Sequence, residues 1–334
     1  MNKKHYLILG FSLILFFSFN LYFYTKSFDV LVSGIKNVRI IPKKYPSVLS
    51  FGDVMFDRGV RNIIENRGRD PFEYIKRDKD LIKNFDIVVA NLEGPIVEMD
   101  RSKCQQKAYN FQFSSTTPEL LKSVGINMVN IANNHSYDCY KIGYDSTKQY
   151  LEKAGIDYVG DVALEKSYEV KKLDGKNIAF VGIDESVQRI PVSSFYSLIK
   201  KLDMENDFVV VNVHWGTEYE LNATDTQTAI AHNLVDNGAD VVFGSHPHVA
   251  QPIEVYKNKV IFYSLGNFVF DQNFGDTMVG LGAGVEFREE KSVFTIFPFN
   301  IKLFAPEFMT GEEKDAFCQK YLSGYSHVGC EFSL

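Results

Sequence analysis

The chain has 334 residues, 45% of them apolar and 23% charged, which is ample for a full core and ordinary for a globular protein. The formal net charge is −6, and no long basic block occurs. That argues against a nucleic-acid partner, because phosphate binding needs a concentrated basic patch.

Met1-Asn-Lys-Lys4 is a short basic stretch, and Tyr6 to Tyr24 carries no charged residue. About 19 residues at ~1.5 Å each nearly span a ~30 Å hydrocarbon core. We therefore expect one transmembrane helix within residues 1–25, anchoring the chain in the cell membrane as a single-pass protein. Lys3 and Lys4 predict a cytoplasmic N-terminus and an extracytoplasmic body. A cleaved signal peptide is the alternative, but the segment ends Asn20-Leu-Tyr-Phe-Tyr-Thr-Lys26, without a small-x-small cleavage site. Residues 26–46 read as a juxtamembrane linker, solvated and basic, with Lys26, Lys36, Arg39, Lys43 and Lys44. Residues 47–300 read as the main domain, and 301–334 as a C-terminal extension packing on it.

From Ser47 onward, short apolar runs alternate with amphipathic stretches. Strands are expected at Val48–Gly52, Ile87–Asn91, Ile126–Ala132, Ile178–Ile183, Phe208–His214, Asp240–Gly244 and Val260–Leu265. Several are continuous apolar runs, the pattern of strands buried on both faces. Helices are expected at Phe72–Asn84, Pro118–Val124, Tyr144–Ala154, Val192–Leu202 and Thr226–Asn237. Thr117 with Pro118 suits a helix start, with a hydroxyl cap and proline in the first turn. Gly125, Gly155 and Gly238 stand where C-terminal caps belong. Val279 to Phe299 looks like antiparallel strands, and the tail from Gly311 holds a helix. The alternation predicts an α/β fold.

Polar residues gather at the ends of the apolar runs. They are Gly52-Asp53, Asn91 with Glu93, Asn133-Asn-His135 with Asp138, His214, and Gly244-Ser-His-Pro-His248. Each segment alone also suits a turn, a cap or a packed histidine. Together they suit a site, because α/β sheets bind ligands beyond the carboxyl ends of their strands. Pro247 pushes His246 towards extended geometry, and alternate side chains on an extended chain share a face. His246 and His248 are thus expected to point into one cavity, which suits a metal.

The four cysteines, Cys104, Cys139, Cys318 and Cys330, allow three pairings. Cys318 with Cys330 is the local choice and would staple the tail. Cys104 with Cys139 would then tie two loops near the site. Free buried thiols are the alternative.

From about Val48 to Gln272 the chain resembles the CapA-type poly-γ-glutamate capsule synthesis proteins, which are similar to calcineurin-like metallophosphoesterases. The resemblance rests on Gly52-Asp-Val-Met55, Asn91-Leu-Glu-Gly-Pro95, Ala132-Asn-Asn-His135, Val213-His-Trp-Gly216, His246-Pro-His-Val249 and Ile261-Phe-Tyr-Ser-Leu-Gly-Asn-Phe-Val-Phe270. It implies a metallophosphatase-like layered β-sandwich flanked by helices. It also implies one or two divalent ions (Mn, Fe or Zn) on Asp53, Glu93, Asn134, His214, His246 and His248. His135, with Asp138 beyond it, would be the proton donor. Three departures stand out. Met55 replaces a histidine ligand, Glu93 replaces a bridging aspartate, and the Gly-Asp-x-x-Asp of the second motif is absent, while Gly52-Asp-Val-Met-Phe-Asp57 sets a second aspartate one residue further along than that spacing. There Asp57 is expected to pair with Arg58. The function implied is synthesis, export or attachment of an anionic capsular polymer. A stand-alone metallophosphoesterase acting on a phosphoester, or a non-catalytic subunit of a membrane synthase complex, are the alternatives.

Overall fold

Continuous apolar runs become strands buried on both sides. We describe residues 45–334 of a computed structural model, which form one compact unit. The expected transmembrane helix and most of the linker lie outside these residues. Among the described residues, no helix is long and apolar enough to cross a membrane.

In chain order the first strands are β1 (Ser47–Val54), β2 (Ile87–Leu92), β3 (Met128–Asn130) and β4 (Asp157–Val159). They run parallel and adjacent. The next six form a second sheet: β5 (Tyr168–Leu173), β6 (Lys176–Asp184), β7 (Phe208–His214), β8 (Val241–Ser245), β9 (Ile253–Tyr256) and β10 (Lys259–Phe262). Within it, β6, β7, β8 and β10 are parallel. The chain then returns to the first sheet with β11 (Asn267–Val269), β12 (Val279–Glu286), β13 (Val293–Lys302), β14 (Ala305–Phe308), β15 (His327–Val328) and β16 (Glu331–Ser333). β12 and β13 are antiparallel, as the Val279–Phe299 pattern predicts. β13 runs through position 300, so residues of the tail join the first sheet.

Period-two alternation sorts each strand's side chains between layers. Val48, Ile87, Val89 and Met128 face the second sheet and pack with Ile178, Phe180, Val210 and Phe243 in one inter-sheet core. Leu49, Phe51, Val88 and Ala90 point the other way, into a core with Val60, Leu121 and Leu151. Ala179, Val181, Val209 and Val211 point out from the second sheet, onto Phe195, Ile199 and Leu234. The result is the expected mixed α/β architecture, with sheets flanked by helices.

The helices are α1 (Arg58–Glu65), α2 (Lys79–Lys83), α3 (Thr117–Ser123), α4 (Tyr140–Ala154), α5 (Val192–Glu205), α6 (Asp225–Asp236) and α7 (Gly311–Leu322). α6 opens with a capping box between Thr224 and Gln227. Gly125, Gly155 and Gly238 all take positive φ just past helix ends.

Several expectations need correction. The helix expected over Phe72–Asn84 is a 3₁₀ turn, Ile75–Asp78, followed by the short α2. The charged run Lys76–Asp80 leaves a full turn without an apolar face. Thr117 is the first residue of α3 rather than its cap, and Thr116 caps without a side-chain bond. β3 stops at Asn130 because the Asn130 side chain bonds both the N–H and the carbonyl of Ala132, turning the chain off the sheet. Asp57 does pair with arginine, but with the guanidinium groups of Arg61 (3.1 Å) and Arg101 (2.7 Å). Arg58 gives Asp57 only its backbone N–H, and its guanidinium pairs with Asp271.

Both expected disulfides, Cys104–Cys139 and Cys318–Cys330, are present. The second ties α7 to the β15–β16 hairpin. Replacing both its cysteines with serine should lower stability by about 2–4 kcal/mol in urea unfolding. An unchanged midpoint would mean that the packing of α7 alone holds the tail.

Candidate metal centre

The parallel strands of both sheets deliver their carboxyl ends to one place. Gly52 fixes the first of them. A Cβ there would lie 1.8 Å from the carbonyl oxygen of Gly266, so only glycine allows this backbone approach. The next residue, Asp53, donates its N–H to that same oxygen at 3.0 Å. Gly244 plays the same part in β8, where a Cβ would meet the Tyr263 carbonyl oxygen at 2.0 Å.

Asp53 is fully buried and accepts from both sheets. Asn91 Nδ2 donates to Oδ1 at 2.8 Å, and the His246 N–H donates to Oδ2 at 3.2 Å. His248 Nδ1 lies 3.2 Å from Asp53 Oδ2 and 2.9 Å from Asn267 Oδ1. Both partners are acceptors, so the neutral tautomer of His248 has its proton on Nδ1, with Nε2 3.8 Å from Glu93 Oε1.

His135 repeats this arrangement. Its Nδ1 donates to Asp138 Oδ2 at 2.7 Å, and its Nε2 lies 3.8 Å from the same Glu93 oxygen. Lys107 Nζ holds the other oxygen of Asp138 at 2.6 Å, and Phe111 lies against the His135 ring at 4.1 Å. Glu93 itself is fully buried, and neither carboxylate oxygen has a hydrogen-bond partner. In their neutral forms the two imidazoles offer this carboxylate lone pairs rather than protons. Such a group either takes up a proton of its own or asks for a cation.

His214, the last residue of β7, is fully buried. Its Nδ1 stands 3.2 Å from Asn91 Nδ2 and 4.0 Å from Asp53 Oδ1, and its Nε2 is 2.9 Å from Asn134 Oδ1. Ligand atoms of Asp53, Glu93 and His214 all lie within 4.8 Å of one another, as do those of Glu218, His246 and His248. His246 Nδ1 is buried without a partner. The donor set, nitrogen and oxygen with orphaned buried atoms, fits a divalent ion.

Burial sets the protonation. It pushes the Glu93 carboxyl well above its ordinary value, and the negative charge of Asp53 adds to this. Burial likewise holds His214 well below the usual imidazole range, with the neighbouring His246 adding to the effect. His246 falls to about 4, from burial first and then from His248. Burial lowers His135 as well, with Asp138 opposing. Neutral imidazoles are the form that binds metal.

The structure thus brings together Asp53, Glu93, His135, His214, His246 and His248, with Asn134 reached through His214 and Asp138 behind His135. The backbone expected for His-Pro-His is not extended. His246 and His248 take φ of 97° and 59°, because Asp53 accepts the His246 N–H and the Tyr219 N–H donates to the Pro247 carbonyl. Met55 is no ligand: it is fully buried in the apolar core, and its sulfur accepts the Asp57 N–H at 3.0 Å. Sequence reasoning alone does not single out Asn267, Lys107 or Glu218 as site residues. Only Glu218 carries a signal, standing two residues past His214-Trp-Gly216.

The family described as bacterial capsule synthesis protein PGA_cap matches residues 47–272. The chain belongs to this capsule synthesis family. It is 33% identical over 285 residues to the capsule biosynthesis protein CapA of Bacillus anthracis, covering 78% of this chain and 68% of that one. It is 32% identical over 292 residues to the PGA biosynthesis protein CapA of Bacillus subtilis (strain 168), covering 80% and 74%. Among solved structures, a hypothetical protein from Thermus thermophilus aligns with a TM-score of 0.46 and 18% identity, over 78% of this chain and 95% of that one.

The buried Glu93 has a measurable consequence for this family member. Its raised pKa means that the folded, metal-free protein holds a proton the unfolded chain releases near 4.5. Stability contributed by that proton is present below 4.5 and is lost as pH rises through the raised folded value. Glu93→Gln should therefore raise the metal-free melting midpoint at neutral pH by roughly 2 °C or more, and shrink the further rise caused by added Mn²⁺. A lower metal-free midpoint would contradict the buried-charge account.

Proposed function

We propose that the chain is a membrane-anchored, extracytoplasmic member of the family, serving synthesis, export or attachment of an anionic capsular polymer of the poly-γ-glutamate type. We further propose that it does so through a metal-dependent hydrolase or transferase site in a metallophosphatase-like fold. One observation carries the catalytic part: the unpartnered carboxylate of Glu93 faces the Nε2 atoms of His135 and His248. The apolar run Tyr6–Tyr24 supports the anchor. Two disulfides support an oxidising compartment.

Asp53, Glu93, Asn134, His214, His246 and His248 would hold one or two divalent ions, with Mn, Fe or Zn suited to the mixed nitrogen and oxygen shell. An ion there supplies Lewis-acid polarisation of a phosphoryl or carbonyl oxygen. His135, once protonated, holds the transferable proton at Nε2 and delivers it to the leaving atom. Asp138 fixes the ring through Nδ1 and stabilises its charged form. His135 and His248 border a cavity of about 300 Å³. Arg58 lines the same cavity, its guanidinium paired with Asp271 and 4.9 Å from the Phe111 ring centre.

The deciding experiment measures bound metal and hydrolysis of bis-p-nitrophenyl phosphate with Mn²⁺, for the full chain and for a His246→Ala/His248→Ala variant. We expect the wild type to bind metal and turn over, and the variant to lose both. A folded wild type with neither would be a non-catalytic subunit of a membrane synthase complex. Turnover in a protein whose loss leaves polymer production intact would favour a stand-alone metallophosphoesterase.

Asp138→Asn separates positioning from metal binding. It should keep its metal, lose about 10-fold or more in kcat, and shift the alkaline limb of the pH profile to lower pH. The sign follows because Asp138 raises the His135 pKa, and the acid must be protonated to act. An unmoved limb would remove His135 as the acid.

A further inference from the structure

Met55 stands where the related phosphoesterases carry a histidine ligand, and its sulfur is spent on the Asp57 N–H in the core. One coordination position is therefore missing from the set drawn from sequence. A different carboxylate reaches the two histidines of the His-Pro-His turn. Glu218, on the loop after β7, places a carboxylate oxygen within 4.8 Å of ring nitrogens of His246 and His248.

That loop is fastened over the histidines. The Tyr219 N–H donates to the Pro247 carbonyl at 2.8 Å, inside the His-Pro-His turn. Tyr219 takes φ of 68°, and Gln272 Nε2 donates to its hydroxyl at 3.0 Å. Its ring packs on Phe274, with centres 5.3 Å apart. These contacts aim the neighbouring Glu218 at the cavity that His135 and His248 also line. A second observation points to a ligand there: His246 is 9% exposed, and its Nδ1 is buried without any partner.

We propose that Glu218 is a metal ligand, forming with His246 and His248 an outer cation position beside the buried Asp53–Glu93–His214 group. It supplies the coordination that Met55 cannot. This inference rests on the metal-dependent reading above. It also makes the outer position open to solvent on one side, since Glu218 is exposed where Asp53 and Glu93 are fully buried. The ion held there is the one that a substrate entering the cavity meets.

The test is equilibrium Mn²⁺ binding to the full chain in detergent, comparing wild type with Glu218→Gln. Melting of the metal-free forms provides the folding control. Glu218 is exposed, so the two metal-free midpoints should agree. We expect the weakest wild-type Mn²⁺ site to weaken by about 10-fold or more in the variant, with any tighter site unchanged. The comparison is repeated in about 1 M salt, where the Debye length is about 3 Å and through-space attraction is screened. A lost ligand persists in salt, whereas a defect that salt abolishes would reduce Glu218 to a nearby charge and overturn the assignment. Identical affinities in the two proteins would overturn it as well, leaving the metal-dependent reading intact. A wild type that binds no Mn²⁺ would remove both.

Discussion

The carboxylate of Asp53 takes hydrogen bonds from both sheets. Asn91 donates to it from β2 and the His246 N–H from the turn after β8, where His248 Nδ1 also lies 3.2 Å away. Its own position depends on Gly52, which lets β1 press against the carbonyl of Gly266. A sheet sliding over its neighbour would break these bonds in a water-free interior, where each lost partner is expensive. Packing in the inter-sheet core and the polar geometry at its end are thus one problem with one solution.

The doubly buried strands are legible in the sequence because a buried strand best explains runs such as Val209-Val-Val211. Their ends are less legible. Asn130 looks like one more strand residue until its amide is seen bonding Ala132 and ending β3. The polar strand ends signal a site, since Asp, Asn, Glu and His recur where apolar runs stop. What they do not give is pairing. Asp57 finds its partners one helical turn and 44 residues away, at Arg61 and Arg101, while adjacent Arg58 turns to Asp271. The His-Pro-His segment leads to the right convergence by the wrong backbone, because long-range bonds to Asp53 and Tyr219 override the local preference of a residue before proline. Glu218 sits in a polar loop, where sequence carries little information about direction.

A buried carboxylate without a partner is a standing penalty on the fold, and the surrounding layers of Phe, Val and Ile offset it. Structure and chemistry here have opposite interests. The arrangement that would grip a cation is the one that the empty protein tolerates least, so occupancy and rigidity are expected to rise together.

The Cys104–Cys139 bond gives this coupling a temporal side. Cys139 follows Asp138 directly, and Gln105, next to Cys104, donates its N–H to the Asp138 carbonyl at 2.7 Å. The same crosslinked loop carries Lys107, which holds the Asp138 carboxylate. A newly made chain with thiols at both positions has His135, Asp138 and Lys107 but lacks the clamp that sets them. Closing the crosslink fixes the loop that carries Lys107 beside Asp138, so the order of this corner depends on the oxidation state of two cysteines.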